Sequence, residues 1–400
     1  MTENDITPNV IDSAPDSLRG RHMVVITQRY PYPGRPFDGV FVQQLIHVLV
    51  RMGLRCSVIH PQAVKSFGRR PLPARIEYTE CPGAQPIKII RPRMLSFSNK
   101  QLGAFNTFRL THWSFCRAVR RALGQLEQPA DLFYGHFLTP AGATAVTLAR
   151  VLGVPSFIAV GESSFSGPEN YGLSRSIRTF RDVSAMIANS SRNRRLLTEL
   201  LRVPAKKVAM FPNGGDLSRF YPRDRAAMRR KFNLPKDEFL VAFVGAFIER
   251  KGALRVAEAI EGIENVGGLY VGDGASRPEG DQVRFCGRLP HDEVPELLSA
   301  ADVFMLPTLN EGSCNAIVEA MACGLPIITS DGEFNDDLVD NTTAIRVNPQ
   351  DVPALRQAVM TLIDDVDRRH RMATAAREIA ETRDINNRAK RVCEWIAQHM

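Results

Sequence analysis

The chain has 400 residues, which at roughly 100–200 residues per domain predicts two or three domains. Hydrophobic residues make up 44% and charged residues 24%, so a disordered, collagen-like or coiled-coil chain is excluded. No apolar run reaches the roughly 20 residues that a membrane span needs. The 51 basic and 43 acidic residues leave a net charge of +8.

Residues 1–20 and the spacing of the cysteines indicate the compartment in which the protein works. Residues 1–20 are polar and lack the basic start and apolar core of a signal peptide, so we expect a mobile tail. The seven cysteines form no CxxC pair and no His/Cys cluster with zinc spacing. We therefore expect a reducing, cytoplasmic location and no structural metal.

In the first half of the chain, apolar runs rich in β-branched residues alternate with helical patterns. Strands are predicted at His22–Thr27, Cys56–His60, Ile87–Ile90, Leu132–Tyr134, Ser156–Val160 and Ala185–Ala188. Helices are predicted at Val40–Met52, Thr107–Leu126, Ala141–Leu152 and, with Ser190 as the N-cap, up to Leu201.

The second half repeats this alternation, which predicts a parallel sheet with helices on both faces in each half. Strands are predicted at Leu240–Val244, Gly268–Val271, Val283–Phe285, Val303–Leu306, Ile327–Ser330 and Ala344–Val347, with an almost wholly helical chain after Asp351. We expect a tail over residues 1–20, domains over 21–212 and 213–383, and a C-terminal helix over 384–400. Because open α/β sheets bind ligands at the carboxyl ends of their strands, residues that directly follow strands are the site candidates.

The segment Glu311–Glu319 follows a predicted strand and opens a helix. The backbone N–H groups at the helix start belong to Gly312, Ser313, Cys314 and Asn315. With the helix dipole, these donors suit a phosphate or a hydroxyl-rich ligand. Glu319 lies about two turns further on and could accept hydrogen bonds from two neighbouring sugar hydroxyls. The alternative is an acidic helix N-terminus with one solvated glutamate.

A second candidate turn, Gly245–Gly252, joins a predicted strand to a helix. Its glycines permit close backbone approach. Lys251 would place a point charge against a phosphate, and Arg250 a second one. Solubility is the alternative role for these cations. The Gly-Asp-Gly sequence at 272–274 follows the next strand.

Two features of the first half also lie at carboxyl strand ends. Residues 38–41 open a helix after the first strand, and Gly39 could present backbone amides to a phosphate. A plain strand-to-helix turn is the alternative. His136 follows the strand at Leu132–Tyr134, a position that favours a site role over the structural role of most lone histidines.

These motifs, with the Pro-Asn-Gly-Gly-Asp linker at 212–216, resemble glycosyltransferase family 4 in order and spacing from about residue 23 to the end of the chain. The resemblance implies the α/β GT-B fold, in which two Rossmann-like, doubly wound domains face a central cleft and a C-terminal helix crosses back to the first domain. It implies a retaining, metal-independent hexosyltransferase without a bound cofactor. The co-substrate would be a nucleotide-diphosphate sugar, and the acceptor a glycan or a lipid-linked glycan in polysaccharide or glycoconjugate synthesis.

The resemblance also implies residue roles. Glu319 would bind the ribose hydroxyls, Glu311 the donor sugar and Lys251 the diphosphate. His136 would lie beside the donor sugar near the reacting carbon. The catalytic residues implied are His136, Lys251 and Glu311, and the donor-binding residues are Gly39, Gly245, Arg250, Lys251, Gly312, Ser313, Cys314, Asn315 and Glu319.

The chain departs from the family pattern at two places. Ala246 stands where an arginine usually follows the glycine of the phosphate turn, so Arg250 or Arg288 is the candidate for the missing cation. Residues 161–164 read Gly-Glu-Ser-Ser in place of a His-Gly-x-Asp sequence. Glu162 is therefore the candidate for a contact with the acceptor or the donor sugar.

Three rival functions stay open on the sequence. A nucleotide-sugar epimerase would use the same donor without an acceptor. A GT-B protein that binds nucleotide sugars without transfer activity is conceivable because of Ala246 and the altered loop. The basic charge alone would also fit nucleic-acid binding, but no nucleic-acid motif supports it, so we expect no such partner. Uridine and guanosine donors are both open.

The charge imbalance is local, because Cys81–Leu126 holds no acidic residue. Its basic residues are Lys88, Arg91, Arg93, Lys100, Arg109, Arg117, Arg120 and Arg121. At helical spacing, Arg109, Arg117, Arg120 and Arg121 share one face with Trp113, opposite the apolar face. A solvated face of an ordinary amphipathic helix is one interpretation. The other is a surface that rests on anionic lipid at the inner face of the cell membrane, near a lipid-linked acceptor.

Overall fold

The computed structural model describes residues 13–36, 38–64, 72–97, 99–103 and 105–400. The chain divides into two compact units. Unit 1 consists of Met1–Phe211 and Arg388–Met400, and unit 2 of Pro212–Asn387. Each unit contains its own largely parallel sheet. No helix among the described residues is both long and apolar enough to cross a membrane.

Unit 1 is built on an eight-stranded sheet. The strands of that sheet are β1 His22–Thr27, β2 Arg55–Ile59, β4 Ile76–Thr79, β5 Ile87–Ile90, β9 Leu132–His136, β10 Ser156–Val160, β11 Ala185–Ala188 and β12 Val208–Met210. Two short pairs of unit 1 lie outside it, β3 Gln62–Ala63 with β6 Arg93–Met94, and β7 Gln101–Leu102 with β8 Phe105–Asn106. Its α-helices before residue 212 are α1 Val40–Arg51, α2 Phe108–Leu123, α3 Ala143–Leu152, α4 Ser166–Tyr171, α5 Leu173–Phe180 and α6 Ser191–Arg195.

The strand order of this sheet is β12-β11-β10-β9-β1-β2-β5-β4, and only the β4–β5 pair is antiparallel. All six residues of β1 are buried, as expected for a strand covered on both faces. From β1 the chain continues to β2 on one side, whereas β9 to β12 extend the sheet on the other. The strand order therefore reverses between β1 and β9, and the carboxyl ends of these two strands form the switch point of unit 1.

Residues 13–20 correct the expectation of a mobile tail over 1–20, of which residues 1–12 lie outside the described part of the chain. Ala14 and Leu18 are buried, at 1% and 0% exposure. The N–H of Ala14 donates to the carbonyl of Met52 at 2.9 Å, and that of Gly20 to Gly53 at 2.9 Å. Two apolar side chains four residues apart thus pack this segment beside the end of α1.

Unit 2 has a six-stranded, wholly parallel sheet. Its elements are α7 Arg225–Lys231, β13 Phe239–Val244, α8 Ala253–Ile260, β14 Val266–Val271, β15 Val283–Gly287, α9 Val294–Ala300, β16 Val303–Leu306, α10 Asn315–Ala322, β17 Ile327–Ser330, β18 Ala344–Val347, α11 Val352–Asp364 and α12 Val366–Glu381. The strand order β15-β14-β13-β16-β17-β18 reverses between β13 and β16. The switch point of unit 2 therefore lies at the carboxyl ends of these two strands.

The last helix, α13 Ile385–Ala397, contains the boundary between the two units. Within unit 1, Val392, Cys393 and Ile396 are fully buried. The guanidinium of Arg391 lies 4.5 Å from the ring centroid of Phe211. These contacts integrate the C-terminal segment into the core of unit 1.

Candidate functional site

In unit 2, the switch point brings together the two loops in which the sequence predicted phosphate contacts. The loop after β13 carries Gly245 to Gly252, and the loop after β16 carries Glu311 to Cys314. Lys251 Nζ lies 2.6 Å from Glu311 Oε1, and Arg250 Nη1 lies 2.8 Å from the same oxygen. Thr308 Oγ1 donates to that oxygen at 3.0 Å. One carboxylate thus orders both cations at the edge of the sheet.

Burial makes this cluster electrostatically strong. The side chains of Lys251 and Glu311 are 15% and 11% exposed, so water screens their attraction only weakly. Burial opposes the charge on Lys251, but Cys314 and Glu311 outweigh it and raise the pKa of Lys251 above its usual value. Burial raises the pKa of the Cys314 thiol to about 11. At neutral pH the cluster therefore contains a charged lysine beside a neutral thiol.

Glycines allow the loops of unit 2 to approach each other closely. Gly252 caps α8 with a φ of 84°, and a Cβ there would lie 2.7 Å from the carbonyl oxygen of Pro307. A Cβ on Gly272 would lie 1.9 Å from the carbonyl oxygen of Gly245. Any side chain at 272 would therefore displace the turn that carries Lys251, which gives the Gly-Asp-Gly sequence a structural role.

The start of α10 offers unoccupied hydrogen-bond donors. Among the described residues, no protein acceptor receives the N–H of Gly312 or Ser313, and the Ser313 hydroxyl is buried without a partner. Cys314 is the N-cap of the helix. Asn315 Oδ1 accepts a hydrogen bond from Asn213 Nδ2 at 2.8 Å. The predicted donors of this segment thus lie in the same loop as Glu311.

Glu319 has a separate set of partners. Its Oε1 lies 3.5 Å from His291 Nε2, and the His291 ring packs edge-on against Phe220 at 5.3 Å between centroids. Burial opposes protonation of His291, but the hydrogen bond with Glu319 outweighs it and raises the pKa of His291. We did not predict His291 or Thr308 from the sequence. Both follow parallel strands, so inspection of every carboxyl strand end would have found them.

The two candidates for the missing second cation have different surroundings. Arg250 is held by Glu311 and by the carbonyl of Asn310. Arg288 lies beyond β15 and is largely exposed, with Nη2 2.5 Å from Asp273 Oδ2. Ala246 is exposed after β13. Arg288 therefore keeps more freedom to turn toward a ligand than Arg250 does.

In unit 1, Gly39 lies in the loop after β1, and His136 is the last residue of β9, which runs two residues beyond the predicted strand end at Tyr134. Gly39 caps α1 with a φ of 81°, and a Cβ there would lie 2.6 Å from the carbonyl oxygen of Arg29. His136 is buried against the rings of Phe41 and Phe137, at 5.3 and 4.8 Å between centroids. Its Nδ1 has no partner among the described residues. Burial, with Arg388 nearby, lowers the pKa of His136 to about 3. His136 is therefore a neutral imidazole that can form hydrogen bonds but brings no charge.

Glu162 joins two strand ends of unit 1. Its Oε1 accepts the N–H of Leu138, which follows β9, and its Oε2 accepts the N–H of Gly161 after β10 at 3.0 Å. Burial raises the pKa of Glu162 to about 7, against the opposing effect of these hydrogen bonds. A residue predicted to touch acceptor or sugar thus also holds the backbone of its own sheet edge.

We expect Glu162 to make stability depend on pH. Because its folded pKa of about 7 lies above the usual 4.5, its stabilising contribution is full below pH 4.5 and is lost as the pH rises through 7. At 1.36 kcal/mol per pKa unit, the loss is roughly 3 kcal/mol. Urea unfolding measures the free energy of unfolding of wild type and of Glu162→Gln between pH 4.5 and 8. The stability of wild type relative to Glu162→Gln should fall by about 3 kcal/mol over this range. An equal pH dependence of wild type, Glu162→Gln and the exposed control Glu169→Gln would contradict it.

The basic segment of unit 1 is not one surface. Arg91 is fully buried and paired with Glu77, and Lys88 lies 2.8 Å from Glu127, so acidic residues outside the segment neutralise part of it. On α2, Arg117, Arg120 and Arg121 are exposed, and Trp113 is 58% exposed with Arg117 over its ring at 5.8 Å. Arg109 is half-buried, with its guanidinium 5.1 Å from the Phe105 ring. Of the four arginines predicted on this basic face, the three in the second half of α2, Arg117, Arg120 and Arg121, are exposed.

In the part of the chain that the structure describes, no group of three or more His, Cys, Asp or Glu side chains is arranged to hold a metal ion. The polar side chains that converge at the switch point of unit 2 are cations and one carboxylate, together with free N–H groups. Such a set suits an anionic, hydroxyl-bearing ligand.

Solved glycosyltransferases of the GT-B class share this fold of two Rossmann-like units. Residues 39–219 match the model for Glycosyltransferase Family 4, and residues 224–379 match the model for Glycosyl transferases group 1. The chain belongs to glycosyltransferase family 4, and its activity is that of a glycosyltransferase.

Three similar proteins illustrate the relationship. TuaC of Bacillus subtilis, named as a teichuronic acid biosynthesis glycosyltransferase, is 25% identical over 84% of this chain and 87% of its own. Sucrose-phosphate synthase from Thermosynechococcus elongatus superposes with a TM-score of 0.76 at 20% identity, covering 94% of this chain and 98% of its own. HepE of Anabaena, solved with UDP-glucose, has a TM-score of 0.68 at 17% identity, covering 94% and 99%. The likeness to these two solved structures shows that this chain shares their fold.

Proposed function

We propose that this protein transfers a sugar from a nucleotide-diphosphate donor to a glycan or lipid-linked acceptor, with retention of configuration and without a metal ion. The observation that carries the proposal is the position of Lys251 beside the unoccupied N–H groups of Gly312 and Ser313, at the switch point of unit 2. A diphosphate is the ligand whose charge and oxygen atoms match this set.

The chemistry explains why these groups are needed. Glycosyl transfer builds positive charge on the anomeric carbon and negative charge on the leaving diphosphate. Fixed cations and N–H dipoles at the leaving group stabilise that transition state without reorganising. In this proposal Lys251 supplies the charge that a metal ion supplies elsewhere, with Arg288 as the second cation.

Retention follows, in this proposal, from attack on the face of the leaving group, with a diphosphate oxygen taking the acceptor proton. Glu311 is the carboxylate that a covalent alternative would use as its nucleophile. Its Oε1 already accepts from Lys251, Arg250 and Thr308, which reduces its nucleophilicity. We therefore assign Glu311 to ordering the cations and binding the donor sugar.

The remaining assignments concern the nucleotide and the acceptor. Glu319, ordered by His291, is assigned to the ribose hydroxyls. The complex of HepE with UDP-glucose supports a nucleotide-sugar donor, and the name of TuaC supports polysaccharide synthesis. We assign the acceptor to unit 1, with the exposed basic part of α2 resting on anionic lipid at the inner face of the cell membrane.

A donor screen tests the proposal. Thermal shifts with UDP- and GDP-sugars identify the donor, and transfer to free and lipid-linked glycans is then measured in EDTA. We expect acceptor-dependent release of the nucleoside diphosphate. Conversion of the donor to an epimer without acceptor would indicate an epimerase, and donor binding without turnover would indicate a binding protein.

Glu319→Ala is expected to raise the donor KM by about 10- to 100-fold with a smaller effect on kcat, because hydrogen bonds to a charged group contribute about 1.5–3 kcal/mol to binding. Initial rates over a range of donor concentrations measure this. Glu258→Ala, at an exposed glutamate of α8, is the control. An unchanged donor KM in Glu319→Ala would remove Glu319 from the donor site.

A further inference from the structure

Unit 1 contains a cavity of about 290 Å³, here called the cationic cavity. It is lined by Arg75, Arg91, Pro92, Arg93, Ala118, Arg121 and Gln125. At about 30 Å³ per water molecule, it has room for roughly ten waters or for a hydrated polyatomic anion. None of its lining residues is acidic, and none belongs to the candidate donor site.

The local structure explains how four arginines meet. Arg91 directly follows β5 and Arg93 is the first residue of β6, so the two lie two residues apart along an extended stretch and their side chains share a face. Arg75 directly precedes β4, and its carbonyl accepts the N–H of Arg91 at 2.7 Å. Ala118 and Arg121 are three residues apart near the end of α2, which places them on one side of the helix, and Gln125 lies in the turn that follows.

The charges of these arginines are not balanced. Arg91 is fully buried and pairs with Glu77, but its Nε is buried without a partner. Arg93 Nη1 is likewise buried without a partner. Among the described residues, no ion pair joins Arg75, Arg93 or Arg121 to a carboxylate, and Arg93 Nη2 donates to the carbonyl of Pro73. Burial, and then Arg75 and Arg91, lower the pKa of Arg93.

The cost without a ligand falls on two buried atoms, Arg91 Nε and Arg93 Nη1, which have neither water nor a hydrogen-bond partner, whereas the exposed Arg75 and Arg121 are solvated. Three guanidinium groups without a counter-charge match a multiply charged anion better than a single carboxylate. Guanidinium groups also donate pairs of parallel hydrogen bonds that fit the oxygens of a phosphate.

We propose that the cationic cavity binds a phosphate or pyrophosphate group. This site belongs to unit 1 and uses none of the residues assigned to the donor diphosphate, so it is independent of the proposed donor site; it shares Arg121 with the part of α2 assigned to lipid. The phosphate can arrive on a soluble ester or on a lipid. Both carry the same chemistry toward Arg75, Arg93 and Arg121.

Calorimetric titration with pyrophosphate tests the proposal in the full chain carrying Lys251→Ala, which removes the main diphosphate cation of unit 2. The test pair is Arg75→Gln with Arg121→Gln, two exposed side chains whose loss should leave folding intact, as thermal unfolding will verify. The matched control is Arg117→Gln with Arg120→Gln, which removes the same charge from α2 outside the cavity. We expect at least about tenfold weaker binding in the test pair and less than twofold change in the control.

Equal pyrophosphate affinity in the test pair and the control pair would overturn the proposal. The absence of pyrophosphate binding to the parent protein, which carries only Lys251→Ala, would also overturn it. Titration with glycerol 3-phosphate and flotation with phosphatidylcholine vesicles, with and without phosphatidic acid, then distinguish the sources. If the test pair weakens binding of glycerol 3-phosphate more than binding of the vesicles, the ligand is a soluble ester. Weakening of vesicle binding that is greater than toward the ester, and greater in the test pair than in the control pair on the same helix, assigns a lipid-borne phosphate.

Discussion

Replacing Lys251 with alanine is expected to lower kcat/KM by about 10²-fold or more, the loss typical of one transition-state charge contact. Lys251 is charged, 15% exposed, and located where two loops of unit 2 meet. The leaving diphosphate gains charge as the glycosidic bond breaks, so the loss should appear in kcat as well as in KM.

Steady-state kinetics with the donor found in the screen measure this loss. Lys236→Ala, at an exposed lysine of unit 2, is the control for removal of a positive charge from the same unit. Near-normal turnover in Lys251→Ala would show that the lysine does not contact the leaving group, and the donor site would have to be sought elsewhere in the chain.

The second large effect is expected for Glu311→Ala. The substitution leaves Lys251, Arg250 and Thr308 without their common acceptor, and breaking a buried ion pair typically costs about 3–5 kcal/mol. Because Arg250 is 40% exposed and can be solvated, we expect the lower end of this range, about 3 kcal/mol in the free energy of unfolding. Activity should fall with it, since Lys251 loses its ordered position.

Urea unfolding of Glu311→Ala, Lys251→Ala and the double variant measures the coupling. The double variant should be less destabilised than the sum of the two single variants, because removal of Lys251 also removes the unpaired buried charge. Additive losses would contradict a direct interaction between Lys251 and Glu311.

The sheets could be predicted from the sequence because their apolar runs are buried on both faces. The predicted bounds at His22–Thr27, Ser156–Val160 and Val303–Leu306 are confirmed residue for residue. Ser190 is confirmed as an N-cap, since its Oγ accepts the N–H of Asn193 at 3.2 Å. The helix it starts passes into a π-helical turn at Leu196–Leu200. A regular helical pattern in side-chain polarity does not record such a change in backbone hydrogen bonding.

Edge strands and tertiary pairing were harder to predict. The strand at Ile76–Thr79 alternates exposed and half-buried residues at the edge of its sheet, so no apolar run marks it. The partner of Glu319, His291, lies 28 residues before it and could be paired with it only once β15 and α10 were placed together. The same holds for the cationic cavity, whose arginines come from three separate stretches of chain.

We propose that the enzyme transfers a sugar from a nucleotide sugar with retention and without a metal ion. Proton NMR of the wild-type reaction, with an α-linked nucleotide sugar, acceptor and excess EDTA, tests it most directly. We expect the nucleoside diphosphate to be released only when acceptor is present, and the new anomeric proton to have the α coupling. A β-linked product, or loss of turnover in EDTA, would contradict it.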